Sequence, residues 1–479
     1  MHNIMSGSDN LLFKNSLIYA MGDIIPKVLN LITFPILTQH LASSEFGVVN
    51  YVNSVELFLS IITLLGLNTY YLVHYYKVTD ERQKRDLLGN LSIFLLIVNV
   101  LFTIISFIAG QRLFSAIGSE ISFFPFIAMG VMSNFFGLFS ILPSALFRLK
   151  ENPLPLTVIN VVKGAAIMFA TCIVVVKHPS AATVLGIKVF VTFLFSIVFI
   201  VITVKNCNFT INWNQIKQAL LFSLPLVPGS LAYYFSSMSD RILIEKYLST
   251  TELGIYSAAT TIGLILNIVS NGAYRSFEPH FFKTYGQQAF VEDFIKIRNT
   301  LLFAILIAGF CLSVYAREFY MIFSNEEYYS AYRYVPFIVW GVTFSSMSLM
   351  YSTVLTAQKK TKTNAMVSII VAACSLCLNM LLLPRFGIIA AACINAMVFF
   401  FSYILEKSFS KLRNVQIARP VLAMLTSAIL MVLLIRYVVY DNIWVSITVK
   451  TIFAIVLLFI NSVLLKVNIF SLIRGLFTK

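Results

Sequence analysis

Charge is what this sequence has least of: 11% of its 479 residues are charged, against 59% hydrophobic, and the mean hydropathy is +0.86. That leaves far too little polar surface to clothe a water-soluble globule, so a soluble fold is excluded. Cysteine is also scarce. Of the six, at 172, 207, 311, 374, 377 and 393, most lie inside apolar runs, where cysteine acts as a small packing residue. The C-x-x-C at Cys374 and Cys377 falls within such a run and reads as packing rather than as metal or redox chemistry. The five histidines stand singly, without ligand spacing, and there is no Walker loop, G-x-S-x-G or exposed carboxylate pair. The chain therefore reads as a non-enzyme with no cofactor and no bound metal.

What is present is hydrophobic length. A membrane-crossing helix needs about 20 apolar residues, and fourteen such runs follow one another near 11–39, 47–74, 87–109, 123–147, 154–176, 182–204, 218–246, 252–280, 297–320, 332–356, 363–383, 388–410, 418–438 and 444–465. They predict an all-α polytopic membrane protein, because only helices and closed barrels satisfy the backbone in lipid. The first run is too long for a signal-peptide core and is expected to be a retained helix.

Orientation follows from the basic residues. Lys77, Arg82, Lys84 and Arg85 follow span two, Arg148 and Lys150 follow span four, Lys359, Lys360 and Lys362 follow span ten, and Lys411, Arg413 and Arg419 follow span twelve. The loops after odd-numbered spans are nearly free of positive charge. A multi-pass membrane protein is expected, with both termini cytoplasmic. The net charge of +15 then serves orientation and attraction to anionic lipid heads, at about 1 kcal/mol per residue near the surface. No basic stripe with interleaved aromatics suggests nucleic acid.

One short hinge occurs twice. LASSEFGV at 41–48 and LSTTELGI at 248–255 share Leu, Glu and Gly at an offset of 207, each between two apolar runs, which predicts two related halves. Ser43 or Ser44 is expected to cap the helix that follows, Glu45 to favour its positive end, and Gly47 to let the two helices flanking the hinge close tightly. Pro26, Pro35, Pro225 and Pro228 fall in the first helix of each half and are expected to bend or loosen it.

Polar residues inside the spans are the informative ones, since an ionised group at mid-span costs roughly 2.5 to 3.5 kcal/mol on insertion scales and normally faces the bundle interior or water. Asp23, Lys27 and Asn30 form one stripe, in which acid and base can pair; Asn53, Glu56, Ser60 and Thr63 form a second. Ser230, Tyr234, Ser237 and Arg241, with Asp240 beside them, form a third, and Asn267, Asn271, Arg275 and Glu278 a fourth. This is the pattern of two halves facing across a wet cleft. Lys163, one turn after Asn160, is too deep to snorkel, whereas Lys188, Arg436 and Lys450 read as snorkellers, and Arg241, Glu245 and Arg275 admit either role.

The runs LTQHLASSEFGVVNY, SLPLVPG, SDRILIEKYLSTTELGIYSAA and LPRFGIIAAACINA resemble the Wzx-type O-antigen flippases, polysaccharide exporters of the multidrug/oligosaccharidyl-lipid/polysaccharide superfamily. The resemblance implies two six-helix lobes, 1–212 and 213–413, with two further helices in 414–479. It implies transport of an undecaprenyl-diphosphate-linked oligosaccharide by alternating access through a cationic central cavity, with membrane lipids and polysaccharide polymerase machinery as partners. Relatives that flip the cell-wall precursor concentrate Arg in the first helices, and this chain does not. A diphosphate needs fixed positive charge in a poorly solvated cleft, for which Lys27, Lys163, Arg275 and Arg241 are the candidates. Asp23, Glu56, Asp240 and Glu278 are expected to hold those bases or to carry a coupling proton or sodium ion. Two alternatives stay open: a small-molecule antiporter of the same superfamily, and a polymerase or ligase, which would be expected to carry a large outward loop with catalytic Arg and His.

The basic loops yield a direct test. In a background lacking the native cysteines, single cysteines at Ser44 and Thr250 should react with an impermeant thiol reagent from outside and those at Lys84 and Lys360 should not; the reverse pattern overturns the orientation.

Overall fold

A backbone in lipid has no water to bond, so its N–H and C=O groups must satisfy one another within each segment. In the computed structural model, which describes residues 7–287, 290–412, 418–438 and 442–468, all fourteen predicted spans are helical. Among the described residues, fourteen stretches from Met21–His40 to Trp444–Leu465 are long and apolar enough to cross a membrane. The fold is all-α and the chain is a multi-pass membrane protein.

The hinge repeat belongs to a longer register. Helices open at Ser43, Ala128 and Ala181, and their counterparts open at Thr250, Val335 and Ile388, each 207 residues on. Contact divides the chain differently, into the units Met1–Gly254 and Ile255–Lys479. Span seven, first of the second repeat, packs within the first unit.

Three spans are broken within the first unit. Span two runs as Ser43–Leu64 and Leu67–Tyr75, interrupted by Leu65 and Gly66 at φ 53° and 70°. Glycine takes that left-handed conformation without strain, and a Cβ there would also stand 3.1 Å from the Ser223 carbonyl oxygen. Ser223 ends the first piece of span seven, Trp213–Ser223; a 3-10 turn at Leu224–Leu226 follows, then the helix Val227–Tyr247. The break in span two therefore lies against the break in span seven. Pro225 and Pro228 explain the latter, because each removes a backbone donor. Pro26 and Pro35, by contrast, stay within one continuous helix, Gly7–His40. Span four divides into Ala128–Leu138 and Ile141–Leu149.

The second pieces of spans two and four, the start of span three and the first piece of span seven share a buried core that includes Leu67, Tyr71, Leu91, Leu146 and Ala219. The connection from span six into span seven is tied to the same place. Asn90 Nδ2 donates to the Asn212 carbonyl at 3.1 Å and to Gln215 Oε1 at 2.7 Å, and Asn90 Oδ1 accepts from the Asn212 N–H at 3.2 Å. These bonds fix the start of span seven to span three.

In the second unit, Lys450 corrects its sequence reading. It does not snorkel: it is 2% exposed, and its Nζ donates to Glu318 Oε1 at 2.5 Å and to the Val314 carbonyl at 2.9 Å. Ser446 Oγ donates to the same Glu318 oxygen. Snorkelling is judged from distance along a single helix, and the acid that captures Lys450 lies on another element, Ala316–Phe323. Removing one member of a buried pair leaves the other charge uncompensated, so Lys450→Ala should cost about 3–5 kcal/mol. Thermal unfolding in detergent checks this: Lys450→Ala should melt well below wild type, and Lys450→Met with Glu318→Gln should recover much of the loss.

Candidate functional site

The two hinge copies touch. A Cβ on Gly47 would overlap the carbonyl oxygen of Thr250, and a Cβ on Gly254 would overlap that of Ser43. The contact is reciprocal at the repeat offset, Ser43 with Gly254 and Thr250 with Gly47, so each copy uses its glycine to admit the backbone of the other. The expected serine caps are corrected by one residue: Ala42 holds the N-cap position of the first copy, without a side-chain bond. In the second copy its counterpart Ser249 accepts from the Glu252 N–H at 3.1 Å. Glu45 reaches another helix. Its Oε2 accepts from the Ala181 N–H at 2.5 Å, at the start of the helix Ala181–Asn206, where a carboxylate meets the positive end of the helix dipole.

Glu245 closes the same end of the first unit. It is 1% exposed, and its Oε1 accepts from Ser119 Oγ at 2.7 Å and from the N–H groups of Glu120 and Ile121 at 2.7 and 3.4 Å. An interfacial role for Glu245 is thereby corrected to a buried tie from span seven to the turn between spans three and four.

Deeper in the first unit lies a charged cluster. Lys188 Nζ donates to Glu56 Oε2 at 2.6 Å and to Asn53 Oδ1 at 2.7 Å, and Ser133 Oγ donates to Glu56 Oε1 at 2.9 Å. Asn134 Nδ2 donates to Thr63 Oγ1 at 3.3 Å. Most of the polar stripe of span two is thus met by spans four and six of its own unit. Lys188 was read as a snorkeller, and the pairing with Glu56 corrects that too. It sits seven residues into its helix, about 10 Å along the axis at 1.5 Å per residue, a depth at which the unpartnered acid on span two was the signal to follow.

Lys163 lies close enough to Lys188 and Glu56 to feel both charges. It is half-buried and has no hydrogen-bond or ion-pair partner among the described residues. Two ammonium groups and one carboxylate leave one positive charge uncompensated. Its neighbour Gly164 lies against Pro26 and Leu29 of span one, so Lys27 and Lys163 each adjoin the same helix crossing. Lys27 is exposed; Asp23, one turn before it, is half-buried and engaged.

Asp240 is 7% exposed and its carboxylate is 3.8 Å from the Arg241 guanidinium, which also donates to Met238 Sδ at 2.8 Å. Glu278 is half-buried in the second unit. The Arg275 side chain lies outside the described residues.

Residues 12–284 match the family model described as "Polysaccharide biosynthesis protein", and residues 225–381 match the MatE model. The chain is similar to the capsular polysaccharide biosynthesis protein CapF of Staphylococcus aureus, 24% identical over 196 residues, or 39% of this chain. That match spans about half, 49%, of CapF. Among solved structures, the fold resembles the lipid II flippase MurJ in an inward closed conformation, with a TM-score of 0.75, 14% identity and coverage of 93% of this chain and 98% of that one. It also resembles an inward-facing multidrug resistance MATE family transporter of the MOP superfamily, with a TM-score of 0.65, 13% identity and coverage of 82% and 98%. Fourteen helical spans, a register repeated at 207 residues and a family match over more than half of its length make the chain a member of the polysaccharide biosynthesis protein family.

Proposed function

We propose that this transporter is a flippase that moves an undecaprenyl-diphosphate-linked oligosaccharide, an O-antigen or similar repeat unit, across the bacterial inner membrane by alternating access, with both termini cytoplasmic. The observation that carries the reading is the charge left over beside the Lys188–Glu56 pair. A lysine at mid-span without a counter-ion is costly in lipid, and an anionic lipid head supplies the missing partner. A diphosphate offers several strong acceptor oxygens, and charge-assisted bonds to it gain strength in a poorly solvated site. Lys163 is assigned as the contact, with Lys27 beside the same helix crossing as a second donor and Arg241 as a further cation of the first unit. Lys188 is assigned to position Glu56. The tight hinge contact at Gly47 and Gly254, with the Glu245 tie at the same end, is read as the closed end of the pathway, and alternating access requires both to part.

The MatE match over residues 225–381 favours a second reading, a small-molecule antiporter. The discriminating experiment is analysis of membrane lipids in a deletion strain. The flippase reading expects lipid-linked oligosaccharide to accumulate, with its glycan identifying the cargo; an unchanged lipid pool with altered drug sensitivity supports the antiporter. In the complemented strain, Lys163→Ala should lower surface polysaccharide at least tenfold at equal protein level, and Lys163→Arg should keep part of it because the charge survives. Lys188→Ala should be rescued in part by Glu56→Gln, since the two changes together leave no unpaired acid. Wild-type export by Lys163→Ala would remove that lysine from the mechanism.

A further inference from the structure

The second unit holds an acid that no motif and no ion pair accounts for. Glu406 lies one turn before the end of the helix Ile388–Ser410 and is 5% exposed. Ser348 Oγ, on the helix Val335–Ala357, donates to Glu406 Oε2 at 2.5 Å, and Ser348 stands 2.9 Å from Ser402 Oγ, one turn earlier on the helix that carries Glu406. Among the described residues no Lys, Arg or His nitrogen lies within ion-pair distance of this carboxyl.

Two helices pack on Ile388–Ser410, and their charged groups are few. Val335–Ala357 carries no charged residue and presents Tyr351. Thr361–Phe386 carries Lys362, exposed at its start, and Arg385 at its far end. On the same helix as Glu406, Tyr403 and Lys407 are neighbours, and the Lys407 ammonium lies over the Tyr403 ring. Beyond Tyr351 is Arg298, 2% exposed, which donates to Asn299 Oδ1 at 2.9 Å. Two cations therefore stand beside Tyr403, one turn before the acid on its helix, and neither pairs with the acid in this conformation.

An ionised carboxylate buried with hydroxyl partners alone is strongly disfavoured, and such a group takes up a proton instead. We propose that Glu406 is a proton-binding site that couples transport to proton movement. It holds a proton on the Ser348–Ser402 hydroxyl pair in the conformation described here. It releases the proton when the helix Ile388–Ser410 shifts against Val335–Ala357 and Lys407 or Arg298 reaches the carboxylate, so each protonation state has its own stabilising partners. The coupling rests on the transporter reading above; the proton site does not.

Infrared spectroscopy of the purified full-length protein in detergent reads the site without any substrate. At neutral pH the wild type should show a carbonyl band of a protonated carboxyl that is sensitive to deuterium exchange and missing from Glu406→Gln. Ser348→Ala keeps the acid and should shift the band rather than remove it, which holds the test open if the Gln variant fails to fold. Identical spectra of wild type and Glu406→Gln in this region, or a Ser348→Ala spectrum with the band unmoved, overturn the site. In vesicles loaded with extracted lipid-linked oligosaccharide, a pH gradient should change wild-type export severalfold and leave Glu406→Gln export unchanged. Equal responses of the two proteins overturn the coupling, whereas export by neither counts against the flippase reading and leaves the infrared result to judge the proton site.

Discussion

An ionisable group inside a membrane must be paired, neutralised or used, and this constraint organises the molecule. Each unit answers it with an ion pair between elements distant in sequence: half-buried Glu56 with Lys188 in the first, fully buried Glu318 with Lys450 in the second. Glu45 and Glu245 answer it with backbone N–H groups, the start of one helix and the turn between two others. Glu406 has hydroxyls alone. Once these groups are accounted for, Lys163 is left with its charge unmatched among the described residues, and the proposed function follows from that remainder. Because the interior also screens weakly, a charge there acts over a longer range than at a surface, so the Lys188–Glu56 pair sets the field into which Lys163 projects.

The mechanical parts are arranged around that chemistry. At one end of the first unit the repeated hinges meet backbone to backbone at Gly47 and Gly254, a contact any larger residue would prevent. Partway along, spans two and seven are both interrupted, and the interruptions touch at Gly66 and Ser223. Beyond them, the tyrosine- and leucine-rich core and the Asn90 bonds hold the ends of these spans together. Span seven is thus anchored at its start, jointed at Leu224–Leu226, and tied again through Glu245.

Much of the fold was legible in the sequence, because hydropathy along a chain is a one-dimensional signal and a spanning helix is a one-dimensional object. The number of spans and the repeat came from such signals, whereas Gly47, expected to bring together the helices on either side of its own hinge, instead admits the backbone of the other hinge copy. Pairing across helices did not, since it depends on rotation about each helix axis. Lys188 and Lys450 therefore read as snorkellers until their partners on other elements came into view, and Glu406, near the end of its span, passed as unremarkable. The break at Leu65–Gly66 was missed because a single Leu-Gly step interrupts an apolar run without lowering its hydropathy. Lys163 was picked out by depth alone, a criterion that needs no partner, and the same criterion applied to Lys188 would have found the pair.

The central claim is that the unmatched charge beside the Lys188–Glu56 pair binds a diphosphate lipid head, and the most direct measurement is thermal stabilisation of the purified protein by undecaprenyl diphosphate compared with undecaprenol. A ligand at one hundred times its Kd adds about 2.7 kcal/mol to the stability of the state it binds. The account predicts a rise in Tm with the diphosphate, little rise with the uncharged alcohol, and loss of the difference in Lys163→Ala but not in Lys163→Arg. Equal stabilisation by the two lipids, or a diphosphate effect undiminished in Lys163→Ala, would contradict it.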